Sequence, residues 1–158
     1  MAPPPPTLLP RIVVRLGFLS LAPLLLSGFL CLSPDMVAAH VGVLSFSIYA
    51  SALLSFLGGV RCGIEITREP MMPNGLRLAY SAAPAISGWM LTLFVVLVPA
   101  AAGAASAFAG LFAAQYVWDH RSANAGAPPW YPLLRQVLTG GAMIACLLVP
   151  LASALQRI

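Results

Sequence analysis

The feature that most constrains this chain is a succession of five apolar stretches, separated by short polar breaks, that fills most of its 158 residues. A bilayer core about 30 Å thick needs roughly 20 apolar residues for each helix that crosses it. Hydrophobic residues make up 60% of the chain and charged residues only 8%, with a mean hydropathy of +0.93, which is far from the balance of a water-soluble domain. The pattern predicts a polytopic integral membrane protein with no soluble domain.

The polar breaks place the five spans. Backbone amides in hydrocarbon must form hydrogen bonds within their own segment, so each span is predicted to be a helix. The predicted fold class is therefore all-α, a five-helix transmembrane bundle that forms one domain over residues 12–158. The first span could instead be a cleaved signal peptide, but its apolar run is longer than a usual signal core, which favours retention. The predicted spans are 12–32, 37–63, 76–98, 100–118 and 133–155, after a flexible Pro-rich cytoplasmic tail at 1–11.

Arginine alone carries the orientation signal, because the chain contains no lysine. Cytoplasmic loops of membrane proteins carry an excess of basic residues. A cytoplasmic N-terminus and an outside C-terminus leave only Arg157 outside. The arginines are spread over separate segments with no continuous basic face, which excludes a nucleic-acid partner. The arginines placed inside are Arg11, Arg15, Arg61, Arg68, Arg77, Arg121 and Arg135.

The cysteines and histidines predict no cofactor and no metal site. Cys31, Cys62 and Cys146 should lie at three different membrane depths, so they form no disulfide framework and no paired metal or redox motif. His40 and His120 should lie at opposite ends of their helices, which prevents them from sharing one metal ion. The chain also lacks the usual hydrolase, metalloprotease and phosphate-loop motifs, so it is not predicted to be an enzyme.

Two stripes of small residues recur at every fourth position and are predicted to be helix-packing faces. Small side chains let helix backbones approach closely in a bilayer. We expect both stripes to pack within one monomer, the alternative being a seam between identical copies. The stripe residues, with the adjacent Gly58, are Ser47, Ser51, Ser55, Gly58 and Gly59 in the second span and Ala102, Ser106, Gly110 and Ala114 in the fourth.

Charged residues at the cytoplasmic ends of the spans are the candidate site. Charges slightly inside the membrane interface tend to pair, so we expect an ionic cluster in which Arg61 faces Asp119 or Glu65. The alternative leaves separate topogenic arginines and solvated acids. The predicted cluster is Arg61, Glu65, Arg77, Asp119 and Arg135.

Aromatic residues near the same ends are predicted to form a belt at the headgroup level. The arginine-rich cytoplasmic face would attract anionic lipid in the surrounding bilayer. The belt residues are Tyr116, Trp118, Trp130 and Tyr131.

Three segments resemble one known family. They are the run Leu-Ser-Phe-Leu-Gly-Gly-Val-Arg at 54–61, the pair Pro84 and Trp89, and the stretch Trp-Tyr-Pro-Leu-Leu-Arg at 130–135 that leads to Leu138 and Thr139. Together they are similar to the transmembrane protein 69 family, also described as domain of unknown function 3429, from about residue 17 to the C-terminus. Cys62 stands where that family usually has tryptophan. The resemblance implies a small multi-pass protein of bacterial inner membranes, with mitochondrial relatives and no established activity.

The function predicted from these features is that of a non-enzymatic membrane component or accessory subunit, with a membrane protein as its partner. The alternative is a small-solute or ion transporter that acts as a homo-oligomer. Transporters usually place polar groups at mid-membrane, where this chain has little besides serines and Tyr49.

Overall fold

The computed structural model describes residues 11–68, 70–98, 101–122 and 131–155. These residues form five helices, and no strand occurs among them, which confirms the all-α class for this part of the chain. Residues 1–10 of the tail, Trp130 and the side chain of Ala102 lie outside the described residues. The helices are α1 (Arg11–Leu30), α2 (Met36–Arg68), α3 (Gly75–Leu97), α4 (Ala101–Ser122) and α5 (Tyr131–Leu155).

Two helices continue beyond their predicted ends. α2 runs to Arg68 instead of residue 63, and α4 runs to Ser122 instead of residue 118. Both extensions carry residues of the candidate site, because Glu65 and Asp119 lie within them. The longer α2 keeps Glu65 one helical turn beyond Arg61, where the two side chains share a face.

Side-chain caps fix where two helices begin. Asp35 accepts hydrogen bonds from the backbone amides of Val37 and Ala38 at 3.3 and 3.2 Å. Asn74 Oδ1 accepts from the amides of Leu76 and Arg77 at 3.1 and 3.2 Å. Each cap satisfies amides that have no partner within the helix. The Asn74 cap therefore sets the first turn of α3, which carries Arg77.

Four of the five helices are long and apolar enough to cross a bilayer by length and composition: α1, α2, α3 and most of α5. α4 is not among them. It is rich in alanine and glycine and carries Gln115 in its interior. The fifth crossing therefore stays a prediction.

Successive helices alternate in direction and close into a ring. Each helix packs against the next in the chain, and α5 packs against α1. α2 and α4 also meet across the centre, where the rings of Phe46 and Phe108 pack edge to face with centroids 6.0 Å apart. Leu24, Leu54 and Phe112 are fully buried in the same core. Large apolar side chains thus fill the middle of the bundle.

The most extensive helix pair, α2 with α3, depends on two glycines. A Cβ atom on Gly58 would overlap the carbonyl oxygen of Ser81. A Cβ atom on Gly88 would lie 3.2 Å from the Cα atom of Ser51. The backbones approach so closely only because neither glycine has a side chain.

α1 packs as a full member of the bundle. The hydroxyl of Tyr49 on α2 donates a hydrogen bond to the carbonyl oxygen of Ser20 at 2.7 Å. Leu21 packs on Gly141 of α5, and Gly28 lies close to the carbonyl oxygen of Ala145. α1 therefore contacts α2 on one side and α5 on the other.

The predicted packing stripe on α2 is only partly correct. Ser47 is buried and Ser51 packs against α3, but Ser55 and Gly59 are exposed. A helix has 3.6 residues per turn, so each four-residue step rotates about 40° and the stripe winds away from its neighbour. The positions of α2 that stay against α3 instead include Ser51 and Gly58, seven residues or about two helical turns apart.

The predicted packing stripe on α4 is wrong as a contact within the monomer. Ser106, Gly110 and Ala114 are all exposed. The buried face of α4 carries Phe108 and Phe112 instead. Large apolar side chains bury more surface than small ones, so they take the inward face and leave the small residues outside.

Candidate functional site

The five charged residues singled out from the sequence lie at one end of the bundle, hereafter the charged end. It is formed by the C-terminal ends of α2 and α4 and the N-terminal ends of α3 and α5. Four of the residues are almost fully buried: Arg61 (2% exposed), Glu65 (1%), Asp119 (2%) and Arg135 (3%). Removing charges from water costs free energy that only good pairing recovers. The pairing at this end therefore decides how stable it is.

Arg135 and Asp119 form the buried pair that joins α5 to α4. The Nε atom of Arg135 donates to Asp119 Oδ2 at 2.7 Å. Its Nη1 atom donates to the hydroxyl of Thr139 at 3.2 Å, and Gln115 Nε2 lies 3.5 Å from Asp119 Oδ1. The third nitrogen, Nη2, is buried and has no hydrogen-bond partner among the described residues. Two of the three guanidinium nitrogens thus donate hydrogen bonds to side chains of the protein.

Arg77 and Glu65 form a second pair, which joins α3 to α2. Arg77 Nη1 lies 3.2 Å from Glu65 Oε1. The arginine side chain is 36% exposed, whereas the glutamate is 1% exposed. Water therefore reaches the Arg77 side of this pair, and ion pairs with an exposed partner contribute less to stability than fully buried ones.

Arg61 lies among these two pairs, and its expected contact with Asp119 or Glu65 stays a prediction. Asp119 pairs with Arg135 and Glu65 pairs with Arg77. Arg61 lies near Asp119, close enough for its charge to act on that carboxylate.

The aromatic residues near the charged end contact one another. The rings of Tyr80 and Trp118 lie 4.9 Å apart and join α3 to α4. Tyr116 stacks on His120 with ring centroids 6.0 Å apart. Tyr131 is half-buried and lies close enough to Arg61 and Arg135 to interact electrostatically with both. Tyr80 was not predicted, and the depth of these rings in a membrane stays a prediction.

Among the described residues, a small cavity of about 20 Å³ beside Arg135 and two larger ones open near the charged end, and the sequence predicted none of them. One, of about 430 Å³, lies between α1, α2 and α5, and Arg135 and Tyr131 are among its lining residues. The other, of about 240 Å³, is a groove between α3 and α4. Residues of the larger cavity are Val13, Leu16, Gly17, Ser20, Phe56, Leu57, Val60, Ile64, Tyr131, Leu134, Arg135 and Leu138.

The geometry of the charged end suits a clamp between helices. Each buried acid is held by an arginine from a neighbouring helix, which ties α2 to α3 and α4 to α5. Among the described residues, no group of three His, Cys, Asp or Glu side chains is placed to hold a metal ion. The chemistry available here is the recognition of a negatively charged or hydrogen-bond-accepting group by arginine.

Comparison with known proteins places the chain. The profile of a family described as a protein of unknown function (DUF3429) matches residues 9–151. Transmembrane protein 69 of Xenopus tropicalis is 31% identical over 144 residues, which cover 86% of this chain and 50% of that protein. The chain thus spans about half the length of that relative, and no solved structure matches it. The predicted family resemblance is confirmed: this multi-pass membrane protein belongs to the DUF3429 family.

Proposed function

We propose that this protein is a non-enzymatic component of the bacterial cytoplasmic membrane that assembles with another membrane protein along the outward face of α4. All five helices cross the membrane in this proposal, with the N-terminus in the cytoplasm and the C-terminus outside. The excess of arginine at the charged end supports that orientation.

The observation that carries the proposal is a contrast between α4 and the other helices. α1, α2, α3 and α5 each expose several large apolar side chains, as expected of helices in contact with lipid. Among the described residues of α4, Val117 is the one large apolar side chain that is exposed. Exposed residues on the other helices include Leu19, Phe29, Ile48, Phe56, Trp89, Phe94, Leu147 and Leu151.

Small residues cover the outward face of α4 from Gly103 to Ala114, hereafter the small-residue face. They recur at intervals of three and four residues, so they lie on one side of the helix over more than two turns. A surface of this kind gives acyl chains little to pack against but lets a second helix approach closely. The small-residue face consists of Gly103, Ser106, Ala107, Gly110 and Ala114.

A groove beside the small-residue face supports the same proposal. It runs between α3 and α4, and Ala114 belongs both to the groove and to the small-residue face. Pro84 and Ser87 line its α3 side, and Leu111 lines its α4 side. A partner helix lying along α4 would thus find space for its own side chains next to the close contact.

The core of the bundle favours this role over transport. Phe46, Phe108 and Phe112 fill the centre between α2 and α4. A solute path at mid-membrane needs polar groups or a water-filled cavity. The two larger cavities instead lie at the helix boundaries near one end, and the cavity beside Phe112 is only about 20 Å³.

Native mass spectrometry of the protein, released gently from its own membrane, tests the proposal. Wild-type protein and Gly140→Leu should retain a heteromeric partner, and Gly110→Leu should lose it. Both glycines are exposed with open space around them, but Gly140 lies on α5. A bare monomer from the wild type, or equal retention by both variants, would refute the proposal. A homo-oligomer lost only in Gly110→Leu would favour the transporter alternative instead.

A further inference from the structure

From the cavity between α1, α2 and α5, we infer a binding site for one acyl chain of an anionic phospholipid, whose phosphate contacts Arg135. This site lies away from the small-residue face on α4, so the inference does not depend on the proposed partner.

The size and lining of the cavity fit part of a single acyl chain. Its volume is about 430 Å³, near the lower end of the range of roughly 300–1,000 Å³ for small-molecule sites. The lining side chains are mostly aliphatic or aromatic, and the α1 wall extends from Val13 to Ser20, which is about 10 Å of helix. One chain can enter while the rest of the lipid stays in the bilayer.

Arg135 supplies the polar end of the site. It lines the cavity, is 3% exposed, and has its Nε and Nη1 atoms occupied by Asp119 and Thr139. Its Nη2 atom has no hydrogen-bond partner among the described residues, although it is buried. A buried donor without an acceptor costs free energy, which a phosphate oxygen would recover through a charge-assisted hydrogen bond.

The charge around the cavity selects an anion over a neutral headgroup. The three helices that form it carry five arginines and one carboxylate, Glu65. That carboxylate is already paired with Arg77 of α3. Arg15 is exposed on α1, one residue before Leu16 of the cavity lining, where it can reach a headgroup at the surface. A positive rim of this kind attracts anionic lipid.

Lipid retention measured by native mass spectrometry tests the inference. Purified protein is exchanged into detergent containing phosphatidylglycerol or phosphatidylcholine with identical acyl chains. Wild type should retain one phosphatidylglycerol, about tenfold more than phosphatidylcholine. Both lipids offer a phosphate to Arg135, but only phosphatidylcholine also brings a choline cation, which the surrounding arginines repel. Equal retention of the two lipids, or an unsaturable number of bound lipids, would overturn the inference.

Two variants separate the cavity from the general surface. Val60→Phe fills the cavity and should reduce phosphatidylglycerol retention about tenfold. Val117→Phe makes the same change on exposed α4, outside both larger cavities, and should retain lipid as wild type does. Arg135→Lys keeps a charge beside Asp119 but loses the planar fork that contacts the phosphate, so retention of phosphatidylglycerol and of phosphatidylcholine should fall together. Equal retention by Val60→Phe and Val117→Phe, at matched melting temperature, would also overturn the inference.

Discussion

Replacing Asp119 by asparagine should destabilise the protein more than any other removal of a single carboxylate. The change leaves the size of the side chain unaltered but removes the charge that Arg135 contacts at 2.7 Å. Both residues are at most 3% exposed, so water cannot take over the role of the carboxylate. Arg61 lies close to the same carboxylate, so neutralising it also removes a favourable interaction with a second buried arginine.

The expected magnitude follows from this burial. Removing one partner of a buried ion pair costs about 3–5 kcal/mol, because it leaves an uncompensated charge. Asparagine can still accept one hydrogen bond from Arg135, so we expect the lower end, about 3 kcal/mol. For a chain of this length, such a loss lowers the melting temperature by about 10 °C.

The assay is thermal unfolding in mild detergent, with Asp35→Asn as the matched control. Asp35 is exposed and caps α2, a role that asparagine fills equally well, so this control should melt with wild type. The double variant Asp119→Asn with Arg135→Met should recover stability relative to Asp119→Asn alone, because no unpaired charge remains at this pair. If Asp119→Asn melts with Asp35→Asn, the buried pair does not stabilise the charged end and the reasoning fails.

Three further outcomes are expected. Gly58→Ala should destabilise the fold by about 1–3 kcal/mol, because the new Cβ atom would overlap the α3 backbone. Gly59→Ala, the control, should be neutral or stabilising. Equal melting temperatures for the two variants would contradict the close approach of α2 and α3. Tyr49→Phe should cost about 1 kcal/mol through loss of the 2.7 Å hydrogen bond to α1, and unchanged melting would show that this bond adds nothing. In the folded protein, a maleimide should label Cys62 faster than Cys31 and Cys146, because those two cysteines are buried. Denaturation should abolish the difference in labelling rate. Labelling of all three cysteines at one rate in the folded protein would contradict the packing.

Predictions that depend on local chemistry agree best with the structure. Backbone amides and carbonyls in lipid have no water to bond to, and a helix pairs them within one segment. The apolar runs alone therefore located all five helices. Their ends were less accurate, because α2 and α4 continue into polar segments whose burial depends on other helices. Glu65 shows the reason: it lies in a polar segment by sequence but is 1% exposed, since Arg77 of α3 covers it.

The sequence analysis named the charged residues of the candidate site, but it did not name the two ion pairs that the structure shows. Five charged residues near helix ends must share one end of an up-and-down bundle, which requires only the order of the spans. Which arginine meets which acid depends on how the helices are rotated and spaced, and Arg135 reaches Asp119 from a separate helix. The stripe on α4 was misassigned for the same reason, because a four-residue repeat does not say which side of a helix is buried.

The amino-acid sequence by itself determined that the protein lies in a membrane, how many helices it has, which family it belongs to and at which end of the bundle the charged residues gather. Each of these depends on properties of single segments, namely their hydropathy, length and charge. The tertiary structure alone decided that Arg135 pairs with Asp119, that α4 presents small residues outward and that a cavity opens between α1, α2 and α5. These features depend on the rotation and separation of packed helices, which the interlocking of side chains across several segments sets.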